Sequence, residues 1–275
     1  MKGIKVMKGI WKGIAYFGLY FGITMVIQVV LSIIFCGIGA ANGLDNETLI
    51  MEFANNNILG MTVISGMLTI LILYLVFKLR KKQVKQEWKL NQFNIKSVVI
   101  SSVIAFSFSF IFALVTYNIS IENSQMISKS VGYYNEIVPA FGFVMMILNL
   151  LVLAPATEEI ALRGIVYTRV EKTSNAIIAI AVSSILFGLM HLMAGGMVLV
   201  VGATLMALVF GYIFHKFNSL WVCIIAHSVA NLPDFILYNK PDISGSTFYG
   251  LVILFVCVFI VGVYVIEKTT KRDNA

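Results

Sequence analysis

Charge-free apolar windows divide this chain into membrane-length blocks. No charged residue falls between Lys12 and Asp45, Glu52 and Lys78, Lys96 and Glu122, or Glu136 and Glu158. The same holds from Lys172 to Lys216, Lys216 to Asp234, and Asp242 to Glu267. A bilayer-spanning helix needs about 20 mostly apolar residues. The 43 residues between Lys172 and Lys216 suffice for two helices, with Gly195–Gly196 as the natural hinge. The pattern predicts eight spans, near residues 14–37, 57–77, 98–118, 139–168, 175–192, 197–214, 219–237 and 246–266. The fourth carries Glu158, Glu159 and Arg163; the seventh is short and contains His227 and Asn231.

Composition fits this reading. Hydrophobic residues make up 59% of the 275 positions, charged residues 12%, and mean hydropathy is +0.92. Soluble domains carry about 25% charge, so too little polar surface exists here for a water-soluble particle. That excludes a secreted disulfide scaffold, a disordered chain and an ordinary cytosolic enzyme. Cys36, Cys223 and Cys257 sit in apolar stretches without metal-ligand spacing and read as small buried hydrophobes. The N-terminal MKGIKVMKGIWKG resembles the start of a leader, but the apolar stretch behind it far exceeds the roughly 7–15 residues of a leader's core. It is expected to be the first span.

Charge also predicts orientation. With the N-terminus inside and each span crossing once, 17 of the 20 Lys and Arg residues fall on the cytoplasmic side. Lys129 and Lys240 fall outside, together with Asp45, Glu47, Glu52, Glu122, Glu136, Asp234 and Asp242. This follows the positive-inside rule. The net charge of +7 is thus a topological signal rather than a nucleic-acid footprint. The expected fold is an all-α polytopic protein of the cell membrane, with about eight transmembrane helices and both termini cytoplasmic. Residues 1–97 form a two-span region ending in a basic loop; residues 98–275 form a helical core with a short tail. Within loop 78–96, Trp88, Leu90, Phe93 and Ile95 are expected on the inner membrane surface while the lysines meet anionic headgroups. Ala203, Ala207 and Gly211 recur every four residues, a spacing that lets membrane helices approach closely.

Ionisable residues at membrane depth are costly and mark functional candidates. In PATEEIALRG, residues 155–164, Glu159 and Arg163 are spaced to pair on one helical face, while Glu158 projects about 100° away and is left for chemistry. Phe187 and His191 share a face in FGLMH, as do His227 and Asn231 in HSVAN. His215, beside Lys216 at a helix end, reads as a surface residue. A carboxylate, two imidazoles and an amide from three helices suit amide hydrolysis. Glu158 takes a proton from water that one histidine positions, and the other histidine and Asn231 donate to the oxyanion. An ion-pair cluster without a reaction is the competing reading. Zinc is another, since one Glu with two His is a common ligand set, but it would consume Glu158 or leave Glu159 to act alone. No HExxH, GxSxG or SxxK arrangement occurs. Depth raises an objection. At about 1.5 Å per residue, Glu158 lies roughly 16 Å in from Arg169, whereas His191 on an upright helix lies about 24 Å from Asn175.

EEIALR, FGLMH and HSVAN, in that order on late spans, resemble the motifs of the CPBP intramembrane proteases. This family, also called the CAAX protease and bacteriocin-processing or Abi family, includes the eukaryotic type II CAAX prenyl endopeptidase. The pattern EExxxR, FxxxH and HxxxN is complete over residues 155–231, within a helical region of about 100–266. The resemblance implies Glu158 as base, supported by Glu159 and Arg163. It implies His191 in water activation, and His227 with Asn231 at the oxyanion. The preferred scheme needs no cofactor; zinc is the alternative. The implied partner is a membrane-associated peptide or protein in the lipid bilayer, not nucleic acid. Without a eukaryotic feature such as a retention signal, a peptide or membrane protein is expected as substrate rather than a prenylated protein. A non-enzymatic immunity or regulatory protein is the second reading and a small-solute transporter the third.

Overall fold

Eleven helical elements carry the chain through the residues described by the computed structural model, which are 2–119, 139–237, 243 and 245–270. They are α1 (Lys2–Ala41), α2 (Glu47–Asn56), α3 (Ile58–Leu79), α4 (Val84–Glu87), α5 (Ile95–Ile119) and a composite α6 over residues 139–171. After these come α7 (Ala176–Met190), α8 (Leu192–Phe217), α9 (Leu220–Ala230), α10 (Leu232–Leu237) and α11 (Gly245–Thr269). Helices dominate because a backbone in lipid must satisfy its own hydrogen bonds. Glu122, Lys129, Glu136, Lys240, Asp242, Lys271 and Arg272, used in the charge count, lie outside the described residues.

Six of these helices are long and apolar enough to cross a membrane: Gly3–Ala41, Ile58–Leu79, Ile95–Thr116, Gly142–Glu171, Gly196–Phe217 and Gly245–Thr269. The fifth and seventh expected spans are shorter helices, Ala176–Met190 and Leu220–Ala230. At about 1.5 Å per residue α9 extends only ~16 Å, about half of a ~30 Å hydrocarbon layer. Among the described residues, six of the about eight expected spans coincide with membrane-length helices, and the fifth and seventh coincide with shorter apolar ones. Apolarity alone does not reveal where a helix stops.

The α7–α8 hairpin shows how the stops are made. The Asn175 side chain caps α7 by accepting from the Ile178 N–H at 2.9 Å. A Cβ at Gly188 would strike Thr204, and one at Gly211 would press on Ile180, so the helices run antiparallel about a reversal near residues 195–196. Gly196 adopts φ +65° there. The helical hydrogen-bond pattern itself breaks earlier, at His191. The hinge thus spans 191–196 rather than the glycine pair alone. At the far end of α8, Asn218 closes the helix in the left-handed conformation at φ 47°.

α1 packs antiparallel to α3, with Tyr16 on Phe77 at 5.8 Å between ring centroids. It also lies along the C-terminal half of α6, where Gly13 faces Val166 and Val170. α5 is held to α11 by Phe110 on Phe255 at 4.5 Å, and to α9 by Ser109, whose hydroxyl donates to the Ala230 carbonyl at 2.6 Å.

The basic loop is more than a surface anchor. Trp88 is buried, and its backbone and Cβ lie against Gly164 of α6. Lys89 accepts from the Leu220 N–H at 2.9 Å, and the Asn91 amide donates to the Asn218 carbonyl at 2.6 Å. Phe93 and Ile95 do stay exposed. Glu87 pairs with Arg169, whose guanidinium lies over the rings of Tyr16 and Phe77. The loop therefore clamps α1, α3, α6 and α9 at one end. His215 is likewise no simple surface residue, since its Nδ1 meets the Tyr167 hydroxyl at 3.3 Å.

Burial raises the Glu87 pKa, but the Arg169 hydrogen bond and the charges of Arg169, Lys172 and Lys82 outweigh it, so the carboxyl lies below its ordinary value of 4.5. Such a group contributes stability above its unfolded pKa and loses it as pH falls through the lower folded value. Thermal unfolding of purified protein between pH 7 and pH 3 (about these limits) should show this. Glu87→Gln should lower the midpoint near neutrality and remove part of the wild-type decline in acid.

Candidate active site

Two π-helical segments interrupt α6. It is α-helical over Pro139–Leu148, π-helical over Asn149–Leu153, α-helical over Ala154–Glu159, π-helical over Ile160–Tyr167, and α-helical again over Thr168–Glu171. Wide turns of this kind disturb the regular ladder and recur at functional positions. The Asn231 amide donates to the Leu150 carbonyl at 2.7 Å, and the Thr168 hydroxyl to the Arg163 carbonyl at 3.0 Å. The six-residue α segment between the interruptions presents Thr157, Glu158 and Glu159.

Glu159 and Arg163 form the expected pair at 3.1 Å, and both side chains are fully buried. Arg163 also donates to the Ala207 carbonyl at 2.7 Å, a contact the small residue on α8 permits. The guanidinium lies 5.3 Å from the Phe187 ring centroid and 5.4 Å from that of Phe210, so aromatic faces from α7 and α8 enclose it. Phe210, unlike Phe187, belonged to no sequence motif. The arginine thus joins three helices around one charge.

His227 joins the two glutamates. Its Nδ1 lies 2.9 Å from Glu159 Oε1, and its Nε2 lies 3.8 Å from Glu158 Oε2. Glu159 accepts as a carboxylate, so Nδ1 carries the hydrogen and Nε2 faces Glu158. Phe210 stacks on the imidazole at 4.5 Å and fixes its plane. Glu158 keeps 16% side-chain exposure whereas Glu159 has none. The division between a reachable and a locked carboxylate follows.

His191 caps the C-terminus of α7, where its Nδ1 bonds the Phe187 carbonyl at 2.8 Å. A carbonyl only accepts, so Nε2 is again the outward nitrogen. Phe187 touches both imidazoles, at 4.9 Å from His191 and 5.8 Å from His227. Glu158 is within electrostatic reach of His227, His191, Glu159 and Arg163. The depth objection is answered by register. Phe187, one turn before His191, sits beside Arg163, just over one turn beyond Glu158, which puts His191 near the level of Glu158. The reckoning from an upright helix overstated its depth. Asn231 caps α9 with its backbone N–H, which donates to the His227 carbonyl at 3.1 Å, while its side chain turns to α6.

Tyr20 of α1 was missed. It is buried at 5% exposure in the main core, and the register of α1 against α6, set where Gly13 meets Val166 and Val170, brings it level with Glu159. A signal existed: Tyr16, Tyr20, Thr24 and Gln28 recur every four residues along an otherwise apolar helix.

Among the described residues no three His, Cys, Asp or Glu side chains are grouped to hold a metal ion. A zinc scheme would leave Glu159 as the base, yet Glu159 is committed to Arg163 and His227.

Removing one partner of a buried ion pair strands the other, at a cost of about 3–5 kcal/mol. Glu159→Gln and Arg163→Met should each lower the unfolding midpoint of detergent-purified protein sharply. The double variant should recover part of the loss, giving a coupling of at least about 1 kcal/mol in a double-mutant cycle.

The family model described as "Type II CAAX prenyl endopeptidase Rce1-like" matches residues 140–233, about a third of the chain. The match spans α6 to the start of α10 and contains Glu158, Glu159, Arg163, His191, His227 and Asn231. No curated protein and no solved structure gives a significant match. Over this part the chain is similar to the CAAX protease family, within an all-α multi-pass membrane protein.

Proposed function

We propose that the protein is an intramembrane endopeptidase that hydrolyses a peptide bond of a membrane-associated peptide or protein. The observation that carries this reading is the 3.8 Å approach of Glu158 Oε2 to His227 Nε2 inside an apolar bundle. In this reading the Glu158 carboxylate, the two outward imidazole nitrogens and the Asn231 amide would converge on one small region. A pure ion-pair cluster needs only Glu159 and Arg163. Glu158 and His191 add nothing to that pair and are explained by chemistry.

In this scheme Glu158 removes a proton from water as the water attacks the amide carbon, then returns it to the departing nitrogen. The hydrogen-bond partners on Nδ1 separate the two imidazoles. His191 is anchored to a carbonyl and offers Nε2 as an acceptor that orients the water. His227 is anchored to the Glu159 carboxylate, whose charge stabilises the protonated ring, so that Nε2–H donates a hydrogen bond to the developing oxyanion and keeps its proton. Asn231 spends one amide hydrogen on Leu150 and has the second as a further oxyanion donor. Glu159 and Arg163 act through His227 by fixing where it points. The substrate backbone must be extended at the site, because a helix hides its amides in its own hydrogen bonds. The scheme needs no metal, and the substrate is expected to be a bacterial peptide or membrane protein.

Purified wild type and Glu158→Gln incubated with a panel of membrane peptides should differ in one way by mass spectrometry. Wild type generates new termini, and the variant is slower by about 10²–10⁴-fold. Intact peptides in both samples, with both genes complementing a deletion phenotype, would establish the non-enzymatic reading instead. Cleavage should persist after verified metal removal; loss that added zinc reverses would overturn the metal-free scheme.

A further inference from the structure

The seam between α5 and α11 is filled at one end and open at the other. Phe106, Phe108 and Phe110 of α5 meet Phe255 and Phe259 of α11 with ring centroids 4.5 to 5.9 Å apart. Further along, the phenylalanines give way to shorter side chains. Val99, Ile100 and Val103 line one wall of a groove of about 590 Å³, and Cys257, Val261 and Val265 line the other. That is the size of a small-molecule site. Val99, Val103 and Val261 remain exposed there.

Register places two cations at one mouth of this groove. The helices run antiparallel: Phe110 meets Phe255 and, six residues back along α5, Ile104 lies where a Cβ on Gly262 would strike it. On that register Lys268 is level with Val98, and so within about 3 Å in height of Lys96, which lines the groove itself. Lys268 follows Val261 and Val265 by seven and three residues and shares their face. Its ammonium lies over the Tyr264 ring at 5.6 Å. The neighbouring acid is turned away, because Glu267 accepts from Lys216 at 2.6 Å and from Tyr212 at 2.9 Å on α8. Among the described residues no carboxylate pairs with Lys96 or Lys268.

Depth and charge together identify the occupant. The walls, Ile95–Val103 and Cys257–Val265, each extend about 12 Å. Half of a hydrocarbon layer is ~15 Å. The groove thus runs through a single leaflet and ends at the lysines, on the side of the basic loop that leads into α5. A peptide backbone laid between such apolar walls would lose water from its amides and gain no partner. A second copy of the chain would bring the same lysines against one another. A lipid tail needs no hydrogen bonds, and a phosphodiester headgroup supplies the missing negative charge.

We propose that this groove binds an anionic phospholipid, with one acyl chain between the valine-lined walls and the headgroup phosphate held by Lys96 and Lys268. The lipid joins α5 to α11 in the half of their seam where ring packing is missing. Both helices lie outside residues 140–233, and the site stands apart from the endopeptidase reading.

Native mass spectrometry tests this on full-length protein released from micelles containing equal amounts of dioleoylphosphatidylglycerol and dioleoylphosphatidylcholine. Wild type should retain one phosphatidylglycerol in preference to phosphatidylcholine by about tenfold or more, since each lysine near an anionic headgroup is worth roughly fivefold. Lys96→Gln and Lys268→Gln should each cut that preference about fivefold, whereas Lys5→Gln, an exposed lysine of α1, should leave it unchanged. Val99→Trp and Val261→Trp fill the groove from opposite walls, and each should remove the retained lipid while the unfolding midpoint holds. Equal retention of the two lipids by wild type overturns the proposal, as does retention that both tryptophan variants or both lysine variants leave intact. A dimer mass that the tryptophan variants abolish overturns it in favour of a second copy. Should a tryptophan variant fail to fold, the two lysine variants, both at exposed positions, decide alone.

Discussion

Arg163 cannot be hydrated where it lies, and much of the surrounding structure follows from that constraint. A fully buried guanidinium in an apolar bundle needs an opposite charge, acceptors for its remaining hydrogens and polarisable faces around it. Glu159 supplies the charge, the Ala207 carbonyl an acceptor, and Phe187 with Phe210 the faces. These groups come from α6, α7 and α8. Charge neutrality therefore fixes the arrangement of three helices in a medium where apolar packing alone is a weak director, since lipid is as apolar as a leucine side chain. Glu159 Oε1 accepts from both Arg163 and His227, and the imidazole then faces Glu158. The ion pair is thus the foundation on which the approach of His227 to Glu158 rests.

Two of the reacting candidates stand where helices end. His191 caps α7 and Asn231 caps α9, and both helices are too short to cross a membrane alone. The last carbonyls of a helix have no partner within it. Where a helix ends inside an apolar layer, some other donor must reach them. His191 Nδ1 covers the Phe187 carbonyl and Ser109 covers that of Ala230. Polar side chains therefore gather at these helix ends, some on the ends themselves and some on neighbouring helices. Short helices bring backbone polarity into the bundle, and polarity is what a hydrolytic site needs to hold water.

The sequence revealed different parts of this arrangement unequally. Charge-free windows located the apolar helices because the membrane excludes charge at every depth. The Glu159–Arg163 pair was legible because helical spacing alone brings the two side chains together. His227 bridging both glutamates was not, since it depends on how α9 packs on α6. Nor were the π-helical segments, which arise where neighbours hold the backbone out of its regular ladder. The ends of α7 and α9 escaped for another reason: Leu189 to Leu192 and Val229 to Leu232 look as apolar as the residues before them, apart from the capping side chain itself. Tyr20 left a trace in the four-residue polar stripe of α1, but a stripe does not say which helix it will face.

The clamp at the opposite end of α6 completes the physical logic. A helix with two π-helical segments is adjustable in length and twist, so a site built on it is accurate only if both ends are held. Trp88 against Gly164 and the Glu87–Arg169 pair hold the C-terminal end, with Tyr16 and Phe77 covering the arginine. The Asn231–Leu150 bond holds the other. Between them the six residues from Ala154 to Glu159 have little freedom of their own, and Trp88 bears on the second π-helical segment, which directly follows Glu159. The loop that the charge pattern marked as a membrane anchor is therefore also a mechanical support, and substitutions there should affect the site by changing the set of α6 rather than by touching a substrate.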